Sequence, residues 1–351
     1  MIRLTCILWL INIQLGCKPH PPRPDEPTPS DAAQQPVRIF QFPTDNRALL
    51  EAGMEEKFYA PTTTARTWAS GSFGCVRNSG TRMHEGIDII SIKRDEDDEP
   101  LDAVRAAATG KVAYISRNAA ASNYGKYVTL VHEYNDMPFY TLYAHLESVA
   151  DSLREGQPIQ VGQEIGVLGR TTNTSDGIAA WRAHLHFEIG VQINSRFSGW
   201  YKQWFREAKN FHGPWHGYNL IGLNAAEILV NDYEGEFDLT QYIQSLPVLC
   251  RVRVYQSELD WADRYPQLVS SPHPNSETPV AWDLDLSVSG IPIKAAPVHD
   301  ADNSSNSKYS VLSVNDTARS KDTCIQLLFR KGQQWVFTGK GQRHMEMLIY
   351  R

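Results

Sequence analysis

Beyond its first 17 residues this 351-residue chain has no apolar run long enough to cross a bilayer and no internal repeat, so a spanning bundle and a solenoid are both excluded. Positive charge is not in excess: 34 Lys and Arg stand against 40 Asp and Glu, a formal net charge of −6, and no basic stripe is offered to nucleic acid. Cysteine is scarce, at five. Beyond the first 17 residues only Cys75, Cys250 and Cys324 remain, an odd number that leaves at least one thiol without an intrachain partner. The acidic run from Arg94 to Glu99 lacks the spacing and glycine of a calcium loop and reads as a solvated insertion.

What is present begins with a leader. Arg3 is its charged start, residues 4–15 its apolar run, and Gly16-Cys17 follow directly, so residues 1–17 read as an export signal of lipoprotein type with Cys17 as the acylated residue. Residues 18–36 hold seven prolines and few apolar side chains, and residues 18–58 are read as a Pro-rich tether and lead-in. The expected location is the periplasm or the outer membrane, with the membrane touched only through Cys17.

About 315 residues remain, which the length prior of ~150 per domain divides in two. Residues 59–232 alternate short β-rich runs with Gly-containing turns, at 110–116, 124–132, 139–146, 158–168 and 184–192, and predict a mainly β, antiparallel domain closed by a short helix at 223–229. Residues 233–351 carry further alternating runs at 248–255, 281–288, 309–314, 324–329 and 335–337, read as a small β-rich accessory domain of unknown role without a reactive constellation. The stretch 154–166 looks like the hairpins of lipoyl and biotinyl carriers. No Met-Lys or Asp-Lys turn accompanies it, which excludes a carrier role.

The chemistry is concentrated in the first of these domains. A catalytic zinc takes three protein ligands and keeps a fourth position for water. His84, Asp88 and His186 supply two imidazoles and a carboxylate, and leave His145 and His184 for proton work. One His-x-His pair proves little, because 11 histidines in 351 residues produce about 0.3 such pairs by composition alone. Strand alternation sharpens the reading: His184, His186 and Glu188 share one face and Leu185, Phe187 and Ile189 the other. The same period places Thr141, Tyr143 and His145 together, opposite Tyr140, Leu142, Ala144 and Leu146. His84 and Asp88 flank Gly86 in a loop entering a buried strand, so the ligands come from loop and strands, unlike a helical H-E-x-x-H site.

Seven blocks then stand in a familiar order: Ser72-Phe73-Gly74, His84-Glu85-Gly86-Ile87-Asp88-Ile89, Ala107-Ala108-Thr109-Gly110-Lys111-Val112, Asn123-Tyr124-Gly125-Lys126-Tyr127-Val128, Tyr140-Thr141-Leu142-Tyr143-Ala144-His145-Leu146, Gly162-Gln163-Glu164-Ile165-Gly166 and His184-Leu185-His186-Phe187-Glu188. Over roughly residues 59–232 the chain resembles the lysostaphin-type zinc metalloendopeptidases. The resemblance implies one Zn2+ per chain held by His84, Asp88 and His186, with His145 and His184 as catalytic histidines. It also implies a function, hydrolysis of the peptide cross-links of peptidoglycan, with the peptide stems as partner. One histidine would take the proton of the attacking water and the other would serve oxyanion and leaving amine, His184 and His145 in that order or the reverse. The alternative, a catalytically inactive cell-wall binding or amidase-regulating protein on the same fold, is set against a complete set of ligands. Where the family has a short turn before the last strand, this chain has residues 171–183, and Trp181 and Arg182 are expected to shape the substrate groove.

Other histidines are read as structural. His132 ends a strand with its hydrogen bonds satisfied, and His212 and His216 lie in an aromatic loop with no third ligand. Cys250 and Cys324, both in strand-like runs of the last segment, are expected to bridge, leaving Cys75 a buried free thiol.

Overall fold

A computed structural model describes residues 38–235, 237–270, 278–302 and 306–351. The leader, Cys17 and the proline tether lie outside the described residues. Among those described, no helix is long and apolar enough to cross a membrane.

The first strands are β1 (Gly74–Arg77), β2 (Arg82–His84), β3 (Ile87–Ile90), β4 (Ala103–Arg105) and β5 (Gly110–Ser116). They are followed by β6 (Lys126–Tyr134), β7 (Met137–Leu146), β8 (Ser148–Val149), β9 (Pro158–Ile159), β10 (Glu164–Val167), β11 (His184–Gln192) and β12 (Leu220–Leu223). The principal sheet runs β12-β11-β7-β6-β5-β9, with β3 also on β11, and every pairing is antiparallel. The mainly β, antiparallel expectation is met.

β11 is the axis of the sheet. Its first half pairs with β3, its second half with β12, and β7 covers the opposite edge. Eight of its nine residues are buried, so both faces are covered and the alternation separates two interiors rather than core from solvent. Leu185, Phe187 and Ile189 enter the main core with Val128, Leu130 and Tyr143. The lead-in adds Phe40, Phe42 and Phe58 to that core, and the carboxylate of Asp232 pins the amides of Ile39 and Phe40 at 3.0 and 2.9 Å. A fully buried Phe such as Phe187 contributes ~2–3 kcal/mol by transfer from water. Asp232 sits on the closing helix Ala225–Glu234, whose N-cap Asn224 accepts from the Glu227 amide.

His132 is the satisfied core histidine the sequence suggests. Its Nδ1 donates to the Thr109 carbonyl at 3.0 Å and its Nε2 meets the Thr141 hydroxyl at 2.7 Å. Burial depresses its pKa to about 4. The unfolded chain therefore binds this proton near pH 6.5 and the folded one does not, so the contribution of His132 is present above pH 6.5 and is lost as pH falls towards 4. It amounts to about 3 kcal/mol. In His132→Gln, the fall of unfolding free energy between pH 6.5 and 4 should be shallower by that amount in denaturant titrations. An unchanged slope rejects it.

The last segment adds β13 (Val248–Val254), β14 (Ala281–Ser287), β15 (Pro292–Val298) and β16 (Tyr309–Val314), in spatial order β15-β14-β13-β16, and the hairpin β17 (Leu328–Lys331) with β18 (Gln334–Phe337). β15 escapes a sequence reading because Pro292 and Pro297 interrupt it, and it sits where prolines are tolerated, at a sheet edge. Directly opposed Arg251–Asp285 and Arg253–Asp283 pairs, at 2.6 and 2.7 Å, decorate β13 and β14. Both pairs keep one or both partners partly open to solvent, so each adds only ~1 kcal/mol or less.

This segment shares one continuous core with the sheet of β11. Arg264 donates to the carbonyls of Gln192 and Ile193 at 2.8 and 2.7 Å, and Asn194 Nδ2 donates to those of Met347 and Tyr350, both at 2.9 Å.

The expected disulfide is corrected. Cys75 on β1 is bonded to Cys324, 249 residues away, while Cys250 is the free, buried thiol. Cys324 lies in the loop after the helix Asp316–Lys321, and Thr323 beside it donates its hydroxyl to the Gly80 carbonyl at 2.6 Å. Folding back of the last segment onto the β1–β2 hairpin thus selects the partner, whereas Cys250 points into the core of β13, where burial pushes its thiol up to about 12. Peptide mapping without reduction should recover Cys75 joined to Cys324. The double change Cys75→Ser, Cys324→Ser should lower stability by ~2–4 kcal/mol and abolish the sensitivity of the melting temperature to reductant. A Cys250 bridge would contradict it.

Candidate metal centre

The site is assembled on β2, β3 and β11. Gly86 lies between β2 and β3 because a Cβ there would stand 2.4 Å from the Phe187 carbonyl oxygen, and this close approach brings Asp88 directly opposite His186 in the ladder. His84 Nε2, His186 Nδ1 and Asp88 Oδ1 form a triangle with all three edges 3.1 Å. Each corner is buried. Two ligands ~2.0–2.1 Å from a tetrahedral zinc stand about 3.3 Å apart, so the triangle has the size the ion requires.

The outer ring of contacts fixes which nitrogens face inward. His84 Nδ1 donates to the Ser72 carbonyl at 2.7 Å. His186 Nε2 donates to Glu188 at 2.9 Å, and Glu188 is held by the hydroxyls of Tyr124 at 2.8 Å and Tyr140 at 2.7 Å. Metal-binding histidines characteristically carry such an acceptor on the second nitrogen. Burial opposes charge on His186, yet Asp88 and Glu188 outweigh it and raise the group to about 9, so the triangle attracts a cation. Burial likewise opposes ionisation of Asp88, and His184, His84 and Arg77 overcome it and hold the carboxyl well below its usual range.

The two remaining histidines face the same place. His184 Nδ1 donates to the Arg182 carbonyl at 2.6 Å, leaving Nε2 free 3.5 Å from Asp88 Oδ2. His145 Nδ1 donates to the Thr171 carbonyl at 2.9 Å, and its ring centroid lies 4.9 Å from that of His184 and 6.1 Å from that of His186. Both rings are kept neutral by burial, His184 with a pKa near 4 and His145 well below the usual histidine value.

His145 reaches this face by a route that alternation does not anticipate. Ala144 is the residue opposite His186, so an unbroken strand would send His145 with Tyr143 into the main core. The register between β6 and β7 slips by one residue here, and His145 adopts a left-handed φ of 62°. This bulge turns the ring back towards His184. The expected grouping of His145 with Thr141 and Tyr143 is therefore corrected, at a backbone cost of ~1–3 kcal/mol of the kind that gathers at functional sites. Gly125, with φ 63°, permits the approach to Thr171, since a Cβ there would lie 2.2 Å from the Thr171 carbonyl oxygen that orients His145.

Sequence reasoning missed Arg77. From β1 its NH2 group donates to Asp88 Oδ2 at 2.5 Å and to His84 Nε2 at 2.9 Å. Nothing in the local sequence marks it, because only the hairpin turn between β1 and β2 brings it over the triangle. The triangle opens into a groove of about 470 Å3 whose lining includes Arg77, Arg82, Asn123, Tyr124, Thr172 and Ile178. The segment 171–183 does border this groove, but Trp181 is no part of its lining and stands 48% exposed. Arg182 lines it as a strut, its Nε bonded to the Pro61 carbonyl and its own carbonyl to His184. His212 and His216 stay apart from the triangle, among aromatic rings: His212 Nδ1 meets the Tyr127 hydroxyl at 2.6 Å.

Residues 82–196 match the model of peptidase family M23. The chain carries a peptidase M23 domain. All five histidine and aspartate positions fall inside the match, while Arg77, Cys75 and everything after residue 196 fall outside it. Among solved structures, the chain is similar to LytM of Ruminococcus gnavus, at 21% identity over 44% of this chain and 49% of that one, TM-score 0.30. The catalytic domain of lysostaphin from Staphylococcus simulans is similar at 25% identity over 34% and 74%, TM-score 0.24. A zinc-containing peptidase from Vibrio cholerae is similar at 23% identity over 39% and 37%, TM-score 0.25. The chain spans about half the length of the R. gnavus structure. No curated protein matches it.

Proposed function

We propose that this protein is an exported zinc metalloendopeptidase that hydrolyses the peptide cross-links of peptidoglycan. The observation that carries the reading is the 3.1 Å triangle of His84 Nε2, Asp88 Oδ1 and His186 Nδ1 with the unprotonated Nε2 of His184 beside it. One zinc ion per chain held by His84, Asp88 and His186 would supply Lewis acidity, polarising the scissile carbonyl and lowering the pKa of water.

The protein's own groups do the rest. His184, neutral and fixed by the Arg182 carbonyl, accepts the proton of the attacking water at Nε2. His145, turned to the groove by its bulge, stands where it meets the reacting amide. Its Nδ1–H is committed to Thr171 and burial keeps the ring neutral, so Nε2 acts only by taking up the proton that His184 has drawn from the water and passing it to the leaving amine as the C–N bond breaks. Arg77 already supplies guanidinium N–H groups beside the triangle and is placed to stabilise negative charge on the substrate. The M23 match and the chemistry of the groove support this substrate class, because Arg77 and Arg82 suit peptide stems that bear free carboxylates. Export with lipid anchoring at Cys17 rests on the leader alone.

Purified cell wall in a zymogram should be cleared by the protein, clearing should stop with a chelator, and zinc should restore it. Elemental analysis should find about one zinc per chain. Clearing that persists without metal, or no clearing by fully loaded protein, rejects the reading. The latter result together with tight wall binding would favour the non-catalytic alternative.

A further inference from the structure

A second cavity, of about 350 Å3, separates β2 from the last helix, Gly339–Leu348. It shares Arg82, Met83 and Glu85 with the catalytic groove, so the two spaces are neighbours across the strand that ends in His84. The helix turns Lys340, Arg343, His344 and Met347 to it, the i, i+3, i+4, i+7 spacing of a single helical face. Opposite lie apolar walls that include Trp200 and Ile221.

Three features describe what fits. Charge is the first: Arg82, Lys340 and Arg343 face one carboxylate, Glu85, and burial keeps His344 uncharged. Donors without acceptors are the second. The Nε atom of Arg343 and the indole Nε1 of Trp200 are buried with no hydrogen-bond partner among the described residues, and Trp200 is 1% exposed. Buried donors are nearly always paired, and both residues belong to the lining of this cavity. Preorganisation is the third. The Arg343 guanidinium sits 5.7 to 5.8 Å from the ring centroids of Trp204, Phe205 and Tyr218, which hold it in place.

We infer that this cavity binds a short peptide by its terminal carboxylate, with small apolar side chains along the walls. An acceptor-only, planar anion satisfies a guanidinium fork and an ammonium together. A cavity of this size with apolar walls takes a body as well as a charge, which a bare inorganic anion lacks. The requirement for an anion with an apolar body stands by itself. The choice of a peptide rests on the peptidase reading.

Calorimetry on the zinc-loaded full chain, with acetyl-D-Ala-D-Ala, its C-terminal amide and inorganic phosphate as probes, tests this. The carboxylate peptide should bind, and the amide should bind at least tenfold more weakly. The double change Lys340→Gln, Arg343→Gln should weaken the peptide at least tenfold, whereas Lys111→Gln, an exposed charge on β5 outside the lining of this cavity, should change its affinity less than twofold. Hydrogen exchange of residues 339–348 in the wild type, slowed by the peptide, gives a readout that survives if the double variant fails to fold. Absence of binding, equal affinity for the amide, phosphate binding as tightly as the peptide, a shift on Lys111→Gln in place of the double variant, or unaltered exchange in the last helix would each overturn the inference. None of these readouts needs turnover, so their failure is distinct from a failed zymogram.

Discussion

His184→Ala and His145→Ala should each retain a full complement of zinc and lose ~10²–10⁴ of turnover, the usual consequence of removing a positioned acid or base. Neither ring lies in the 3.1 Å triangle, and each is oriented by a backbone carbonyl, of Arg182 and of Thr171, that its loss leaves in place. The two losses should not add when combined, because neighbouring groups that move the same proton act as a unit. Steady-state rates on a defined cross-linked muropeptide, with zinc measured on the same samples, decide the matter. Near-normal rates in both variants would dismiss the assignment, and loss of zinc in either would make that histidine a ligand.

The larger effect belongs to the triangle itself. Replacing His84, Asp88 or His186 by Ala should leave less than about a tenth of the zinc bound and no measurable hydrolysis, since a three-ligand site cannot spare one. Asp88→Ala should do more. It removes the carboxylate that pairs with Arg77 at 2.5 Å and lies 3.1 Å from both His84 Nε2 and His186 Nδ1, leaving three groups of the same polarity facing one another. Elemental analysis of the three dialysed variants is sufficient. Full zinc in all three would mean that the ion sits elsewhere.

Much of this site can be read before any coordinates. The His-x-His strand, the His84 to Asp88 loop and the alternation that sets His184, His186 and Glu188 on one face all depend on neighbours within a few residues. Local periodicity reports such neighbours faithfully. The strands 110–116, 184–192 and 309–314 coincide with the runs that predicted them, for the same reason. Failures occur where the chain breaks its own period or closes over long distances. His145 is misplaced by alternation because one extra residue in β7 and a left-handed backbone reverse its side. β15 is overlooked because its prolines argue against a strand unless the strand is known to be an edge.

The cysteines mark the limit most sharply. Proximity in sequence and similar local patterning favour Cys250 with Cys324, yet pairing depends on which surfaces meet, and the last segment meets the β1–β2 hairpin. The same docking creates the cavity beneath the last helix. By itself, then, the sequence determined the antiparallel class of the fold, the donor types and the identity of all five metal-site and proton-transfer candidates, because these are matters of residue chemistry and short-range period. Only the tertiary structure decided that three donors converge at 3.1 Å, that Arg77 overhangs them, that His145 faces them and that Cys75 ties the β1–β2 hairpin to the last segment. Those distances arise from strand register, one bulge and the packing of segments up to 249 residues apart, for which no local pattern carries a record.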